Sequence, residues 1–211
     1  MKLIYFPVGS YQANCYILCD EEKKEAVIID PGAEEMRIVA QLDFYDCKPV
    51  AILLTHGHFD HMGAAAALHE RYGCKIYAHE CEQEILESAK KNLFAMFDIN
   101  QTLTADVFVK DGENISVAGM NFRVLHTPGH TCGSCCYFEE EKGMLFAGDT
   151  LFAQSYGRVD FPTGNMREMI TSGKKLFTTL PESTVVYSGH GEATTIEIER
   201  KYNPLAQAVR Y

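Results

Sequence analysis

The stretch Leu53–Gly63, LLTHGHFDHMG, places His56, His58, Asp60 and His61 within six consecutive positions. Three more residues in glycine-containing segments complete a set of seven candidate ligands: His130 in HTPGHTCGS, Asp149 in GMLFAGDT and His190 in YSGHGEA. Imidazole nitrogens and carboxylate oxygens suit Zn²⁺, Mn²⁺ or Fe²⁺ rather than Cu⁺ or Ca²⁺. The residue types therefore predict a transition-metal centre.

The number of candidate ligands predicts two divalent metal ions rather than one. A single catalytic zinc ion typically takes about three protein ligands and a water molecule. His56 and His58 are two positions apart and point the same way from an extended backbone, whereas Asp60 and His61 lie at the start of a predicted helix and can face a second ion. Two neighbouring metal ions lower the pKa of bound water toward ~7, which favours a hydrolase. Zn²⁺ is the favoured metal, with iron and manganese as alternatives.

Each candidate ligand follows an apolar run that predicts a strand, so strand ends must position the site. KLIYFPV, NCYILCD, EAVIID, PVAILLT, CKIYAH and TVVYSGHG predict strands, and hairpins are predicted to turn at Ala118–Gly119 and near Lys142–Gly143. Helices are predicted near 34–45, at 61–73, 80–91 and 165–180, and from 194 until Pro204 ends the last one. The apolar residues of 92–105 follow neither a helical nor a strand periodicity, and this stretch is interpreted as a surface segment or lid. Strand meanders with dispersed helices favour packed sheets with helices outside over a doubly wound sheet.

Size and charge limit the classes of function. The chain has 211 residues, 46% of them hydrophobic, and no linker or repeat, which predicts a single domain over 1–211. Its net charge of −10 argues against nucleic-acid binding. Pro7 and Gly9 break the first apolar run too early for a signal peptide, and no segment approaches the ~20 apolar residues of a membrane span. We therefore expect a cytoplasmic protein without a membrane partner, whose eight cysteines are reduced.

The motifs together resemble the metallo-β-lactamase superfamily. THGHFDH is similar to the signature T-H-x-H-x-D-H, and DPG at 30–32, HTPGHT at 126–131, GDT at 148–150 and SGHG at 188–191 occur in the family's order. The resemblance covers Asp30 to Pro204 and implies an α+β fold, the four-layer αββα metallo-β-lactamase sandwich. It also implies the ligand assignment: His56, His58 and His130 for one metal, Asp60, His61 and His190 for the other, and Asp149 as the bridge.

A finer resemblance is to the glyoxalase II-like hydrolases, also called hydroxyacylglutathione hydrolases. It rests on GDTLFAQSYGRVDFPTGN and GHGEATTIEIERKYNPL. Full-length members carry a C-terminal helical region that binds glutathione, which is not expected here, so a short single-domain thioesterase is expected and its thiol carrier stays open. The resemblance implies that a hydroxide held by both metals attacks the acyl carbonyl of a small-molecule thioester, with Asp60 orienting the hydroxide.

Substrate contacts are expected from the GRVDFP loop. Arg158 with Asp160 would place a substrate carboxylate, or else the two form an internal pair that shapes the loop; Phe161 and 92–105 would wall the pocket. His126 is expected to support the loop of His130. Three alternatives stay open: a persulfide dioxygenase-like enzyme with one iron, a lactone hydrolase, and a non-catalytic metal-binding protein. DFP and SGHG favour the hydrolases.

Overall fold

Two six-stranded β-sheets form the centre of the structure, a computed structural model that describes residues 1–208. The first sheet runs in chain order through β1 (Lys2–Val8), β2 (Ala13–Asp20), β3 (Glu25–Ile29), β4 (Lys48–Leu53), β5 (Lys75–His79) and β6 (Val107–Val109). The strands β1 to β3 form an antiparallel meander, whereas β3 to β6 pair in parallel. The parallel half brings the carboxyl ends of β3, β4 and β5 to one edge of the sheet.

The second sheet has the order β12-β11-β10-β9-β8-β7. Its strands are β7 (Asn114–Val117), β8 (Met120–His126), β9 (Cys135–Glu139), β10 (Met144–Gly148), β11 (Val185–Ser188) and β12 (Thr194–Thr195). The strands β10 and β11 are parallel and the other neighbours are antiparallel. The β7–β8 hairpin turns at Ala118 and Gly119, both with positive φ, as the sequence predicts.

Helices cover the outer faces of both sheets. They are α1 (Glu35–Phe44), α2 (Phe59–Met62), α3 (Ala65–Tyr72), α4 (Gln83–Leu86), α5 (Met166–Thr179), α6 (Ile196–Tyr202) and α7 (Pro204–Ala208), with 3₁₀ turns at Glu80–Glu82 and Phe94–Phe97. Asn165 caps α5, since its side chain accepts hydrogen bonds from the backbone N–H groups of Arg167 and Glu168. Within residues 1–208, no helix combines the length and the apolar character that a membrane crossing requires.

Three apolar cores separate four layers. Side chains alternate along β2, so that Ile17 faces α1 and α3 while Leu18 faces the second sheet. The central core joins residues such as Val27 and Leu53 of the first sheet to Phe122, Tyr137 and Phe146 of the second. The third core packs the second sheet against α5, α6 and α7. The predicted αββα sandwich is confirmed.

The structure differs from the predicted elements in several places. The helix predicted at 61–73 is divided into α2 and α3, and Thr194 and Thr195, predicted to begin the last helix, form β12. The predicted helix at 80–91 is a 3₁₀ turn followed by the single turn α4, because the buried Asn92 side chain donates to the carbonyl of Leu86 and turns the chain away. The short strand β6 lies in a stretch for which the sequence predicts no strand. The predicted last helix ends at Tyr202, and Pro204 then occupies the first position of α7, where its missing N–H is tolerated.

Candidate metal centre

All seven candidate ligands lie at one edge of the sandwich, just beyond the carboxyl ends of strands from both sheets. His56 and His58 follow β4, and Asp60 and His61 lie in α2. His130, Asp149 and His190 follow β8, β10 and β11 in the second sheet. Loops at the ends of a packed sandwich thus bring together residues that are up to 134 positions apart, counted from His56 to His190.

The first ligand group, His56, His58 and His130, is a compact set of three imidazoles. Their ring centroids are 4.6–4.8 Å apart and the rings are close to perpendicular. His58 Nδ1 lies 2.9 Å from His130 Nε2. All three side chains are buried. Mutually perpendicular rings that turn nitrogens toward one point can ligate one ion, and one ligand atom from each residue fits within a 4.8 Å cluster.

The second ligand group, Asp60, His61 and His190, lies directly beside the first. His61 Nε2 is 3.4 Å from His190 Nε2, and His190 Nε2 is 3.4 Å from Asp60 Oδ2. The rings of His56 and His61 have centroids 4.1 Å apart, so the two ligand groups are adjacent. This second cluster also fits within 4.8 Å.

Asp149 stands between the two ligand groups. Its Oδ2 lies 3.5 Å from His130 Nε2 of the first group and 3.7 Å from His190 Nε2 of the second. Its Oδ1 lies 3.4 Å from His61 Nε2. Gly189 allows this approach, since a Cβ at that position would clash with Asp149 Oδ1. The carboxylate therefore faces both groups at once, which is the position of a bridging ligand.

The donor set fits a pair of metal ions. His56 Nε2 and Asp149 Oδ1 are buried without a hydrogen-bond partner, which is unfavourable unless something else satisfies them. Zn–N bonds of about 2.0–2.1 Å with tetrahedral angles separate two nitrogens by about 3.4 Å, close to the distance between His61 Nε2 and His190 Nε2. The histidine and aspartate clusters suit a dinuclear centre.

Burial keeps the first ligand group neutral. It lowers the pKa of His56 well below its usual value, and neighbouring imidazoles lower it further. Burial, with His130 adding to it, lowers the pKa of His58 to about 3. The pKa of His130 is lowered by burial as well, against the opposing effect of Asp149. Neutral imidazoles are the form that binds metal.

In the second ligand group, nearby carboxylates instead favour the protonated form of the histidines. Burial acts to lower the pKa of His61, but Asp149, Asp60 and Asp30 together raise it well above the usual value. The pKa of His190 is raised in the same way, because Asp60 and Asp149 outweigh burial. Burial acts against ionisation of Asp149, yet the nearby His61 holds its pKa well below the usual range. A metal ion must therefore displace protons at this group.

Asp30 supports the ligands, a role that the sequence analysis does not assign to it although it belongs to the DPG motif. His61 Nδ1–H donates to its Oδ2 at 2.9 Å, which leaves Nε2 directed at the second ligand group. The Thr55 hydroxyl also donates to Oδ2, at 2.6 Å, and lies 3.2 Å from His56 Nδ1. One buried carboxylate thus orients a histidine of each ligand group. The signal that the sequence offers for this role is a carboxylate, Asp30, at the end of the run EAVIID.

Glu82 joins the two loops that carry the first ligand group. It is fully buried, and its Oε1 accepts a hydrogen bond from the backbone N–H of Gly57 at 2.7 Å. Its Oε2 accepts one from the Thr131 hydroxyl at 2.8 Å. Burial raises the pKa of Glu82 to about 7 despite these hydrogen bonds. Glu82 lies within the run HECEQE, where no pattern distinguishes it from the exposed Glu80 and Glu84.

The GRVDFP loop holds a ligand through its backbone. His130 Nδ1–H donates to the carbonyl of Arg158 at 2.7 Å, which orients the ring toward the first ligand group. The Arg158 side chain forms a two-point ion pair with Asp160, 2.6 Å at each contact, and lies 3.9 Å from the ring centroid of Phe161. Phe161 in turn packs edge-on against His58, with centroids 5.7 Å apart.

A pocket of about 330 Å³ opens onto the two ligand groups. Arg158, Phe161, and Leu93 and Met96 of the 92–105 segment line it, whereas Asp160 is not among the described lining residues. His126 Nε2–H donates to the carbonyl of Cys132 at 2.9 Å, next to the His130 loop. All eight cysteines are free, and six of them are buried.

Comparisons with known proteins agree with this geometry. The model of the metallo-beta-lactamase superfamily matches residues 8–190, which include all seven candidate ligands. The hydroxyacylglutathione hydrolase GloC of Haemophilus influenzae is 37% identical over 97% of this chain and 97% of its own length. The similarity therefore extends over almost the whole length of both proteins.

Solved structures extend the likeness to the fold. The crystal structure of the BLEG-1 B3 metallo-beta-lactamase has a TM-score of 0.91 at 36% identity and covers 97% of this chain and 99% of its own. That of TTHA1623 in a di-iron-bound form has a TM-score of 0.84 at 32% identity, again with 97% and 99% coverage. Both resemble this chain over almost all of its length.

Proposed function

The chain belongs to the metallo-beta-lactamase superfamily, and on that premise we propose that it is a metal-dependent hydrolase of acyl thioesters, similar in activity to glyoxalase II. The coarser statement, a metallo-hydrolase fold with a histidine-rich metal site, follows from the family and from the clustered ligands. The likeness to a hydroxyacylglutathione hydrolase supports the thioester as the bond that is cleaved.

One observation carries the proposal: two ligand groups share Asp149 and open onto a pocket. A structural zinc site is closed by four protein ligands. Here the ligands are not enclosed by protein: His58, Asp60, His130, Asp149 and His190 line the pocket. Positions that face a cavity are available to water and substrate. This speaks against a non-catalytic metal-binding protein.

The chain's own residues have distinct tasks in this proposal. His56, His58 and His130 would hold one ion, Asp60, His61 and His190 the other, and Asp149 would touch both. When bound, the ions supply an activated water at neutral pH and an electrophile for the carbonyl oxygen. Asp60, at the pocket wall, would accept a hydrogen bond from the attacking water and so orient it. Phe161 and Met96 line the pocket beside these groups. Zn²⁺ is the proposed metal, with iron and manganese as alternatives.

The lining of the pocket favours a thioester over an amide. A thiol has a free pKa near ~8.5, so a thiolate leaves without being protonated, whereas an amine leaving group needs a proton from a general acid. Apart from the ligands and Arg158, Tyr11 is the only described lining residue with a dissociable proton. Its exposed position at the mouth suits substrate contact better than proton transfer.

A second candidate is β-lactam hydrolysis. The structural likeness to the BLEG-1 B3 metallo-beta-lactamase favours it. A chromogenic cephalosporin in the assay panel distinguishes the two activities, since it contains no thioester.

The test combines metal analysis with activity assays. We expect two metal ions per chain and release of free thiol from a thioester, both abolished by chelation and both strongly reduced in His130→Gln. His69→Gln is the matched control, because His69 contacts Asp106 far from the pocket. One iron per chain with oxygen uptake on a persulfide would overturn the proposal, as would thioester hydrolysis that survives complete metal removal. Lactone hydrolysis without thiol release would reassign the substrate.

A further inference from the structure

Beside the ligands, the wall of the pocket is built mainly from aromatic and apolar side chains. Six of the described lining residues belong to it: Tyr11, Phe59, Leu93, Met96, Phe152 and Phe161. They come from separate parts of the chain and meet only in the folded protein. The volume of about 330 Å³ is near the lower end of the ~300–1,000 Å³ of small-molecule pockets. A compact group fits there.

At the mouth these side chains form an aromatic cluster that continues onto the surface. The Phe59 ring lies 5.0 Å from those of both Tyr11 and Phe97, centroid to centroid, in edge-on contacts. Met96 is 63% exposed, and Phe97 and Ile99 beside it are also exposed. Contiguous exposed apolar surface beside a binding cleft marks an interaction site rather than a packing accident.

The segment that presents Met96 and Phe97 is held in a strained conformation. Leu93, just before the Phe94–Phe97 turn, has φ = 73°, and Asp98, just after it, has φ = 58°. A leucine in this left-handed region is unfavourable and persists only where the surroundings impose it. The buried Asn92 does so: its Oδ1 accepts from the N–H of Phe94 and its carbonyl accepts from the N–H of Phe59. The segment is thus tied to the ligand-bearing helix α2.

Charge is missing from this part of the pocket. Among the described lining residues, Arg158 is the only cation other than histidine, and its Nε and Nη2 donate to the carboxylate of Asp160. The net charge of −10 adds a long-range repulsion for anions. A substrate that carries carboxylates, such as a glutathione thioester, meets on the described wall only a guanidinium that Asp160 already pairs with.

We propose that this wall binds an uncharged apolar group of the thioester, and that substrates without charge on either the acyl or the thiol side are preferred over glutathione thioesters. This inference rests on the proposed thioesterase function. It assigns specificity to the apolar wall, with Met96 and Leu93 as the contacts supplied by the strained segment.

Four thioesters test the inference: butyryl and succinyl esters, each of N-acetylcysteamine and of glutathione. We expect the highest kcat/KM for butyryl-N-acetylcysteamine, and values lower by about tenfold or more for each charged partner, a discrimination within the reach of an apolar pocket. Preference for either glutathione ester, or equal rates for all four, would overturn this inference and leave the thioesterase function intact. If no ester is hydrolysed by the metal-loaded protein, both proposals fall.

A matched pair of variants locates the effect. Met96→Lys should lower kcat/KM for the butyryl ester of N-acetylcysteamine about tenfold and raise that for the succinyl ester, because a cation would then stand at the apolar mouth. Met36→Lys should change neither value, since Met36 is equally exposed, at 63%, but lies on α1 outside the pocket. Metal content should be unchanged in both variants. If the ratio of kcat/KM for the butyryl ester to that for the succinyl ester is the same in Met96→Lys as in the wild type, the wall does not select the substrate.

Discussion

Replacing Asp30 by asparagine should weaken metal binding at both ligand groups without removing any ligand. Asp30 is buried, and its Oδ2 accepts hydrogen bonds from both His61 Nδ1–H and the Thr55 hydroxyl. The asparagine side chain has nearly the same shape, but it presents an NH₂ group where one of the two carboxylate oxygens stood. If the amide nitrogen takes the place of Oδ2, it can only donate, so His61 Nδ1 must accept. The ring proton then moves to Nε2, the nitrogen that faces Asp149 and His190.

The magnitude follows from how such supports act in metal sites. Loss of a group that orients a ligating histidine typically weakens metal affinity by about 10–100-fold, or roughly 1.4–2.7 kcal/mol. The larger effect is expected at the second ligand group, which contains His61. The first group is reached only through the Thr55 hydroxyl, 3.2 Å from His56 Nδ1, so the lower end of the range is expected there.

The assay is a zinc titration of metal-free protein in competition with a chromophoric chelator, which gives two dissociation constants. Asp106→Asn is the matched control, because Asp106 also pairs with a histidine, His69, at 3.4 Å on the surface. Thr55→Val separates the two routes, since it should affect the first ligand group and spare the second. If Asp30→Asn lowers the melting temperature while both zinc affinities stay within about twofold of the wild type, Asp30 is structural and the reasoning is refuted.

Three further results are expected. Burial raises the pKa of Glu82 from 4.5 to about 7, so the contribution of its protonated form to stability is present below the unfolded pKa and lost as pH rises through the folded pKa. Between about pH 6 and about pH 8 the wild type should therefore lose about 1 kcal/mol of unfolding free energy relative to Glu82→Gln. Denaturant titrations measure this difference, and parallel pH profiles of the two proteins would contradict it. Because carboxylates raise the pKa of His61 and His190, falling pH should release the ion of the second ligand group first, and activity should decline below about pH 6. Metal analysis after dialysis at a series of pH values checks this order of release. Simultaneous release of both ions would speak against it. Asp160→Asn should free Arg158 and raise kcat/KM for a succinyl thioester by a few-fold while the butyryl value stays constant, and an unchanged ratio would show that Arg158 does not reach the substrate.

The positions of the seven candidate ligands at strand ends could be predicted from the sequence because each one follows an apolar strand in a short local pattern. His130, Asp149 and His190 stand one to four residues beyond β8, β10 and β11. A metal site restricts its residue types so strongly that five histidines and two aspartates in such positions rarely occur together for another reason. The αββα arrangement was accessible in a similar way, since strand meanders with dispersed helices require helices outside packed sheets.

The support by Asp30 could not be predicted from local pattern, because it depends on the register between two strands. The strands β3 and β4 pair in parallel with Ile29 opposite Leu53. That register places Asp30 beside the residues that follow β4, so the backbone N–H of Thr55 donates to Asp30 Oδ1 at 2.8 Å. A shift by one position would turn these side chains to the other face of the sheet, and the sequence of either strand alone does not set the register.

The apolar wall was harder still to predict, and for a different physical reason. Metal ligands must be particular residues, but a pocket wall needs only apolar side chains, and those are the residues that also fill a core. Phe161 and the 92–105 segment with Met96 were predicted to wall the pocket, but Tyr11, Phe59 and Phe152 have an ordinary alternative as packing residues, and nothing local distinguishes them. What separates them in the structure is the combination of exposure at Met96 with the strained Leu93 and its anchor Asn92. Asn92 holds Leu93 in its left-handed conformation, and the turn that follows leaves Met96 in the pocket wall, where a bound apolar group would cover it.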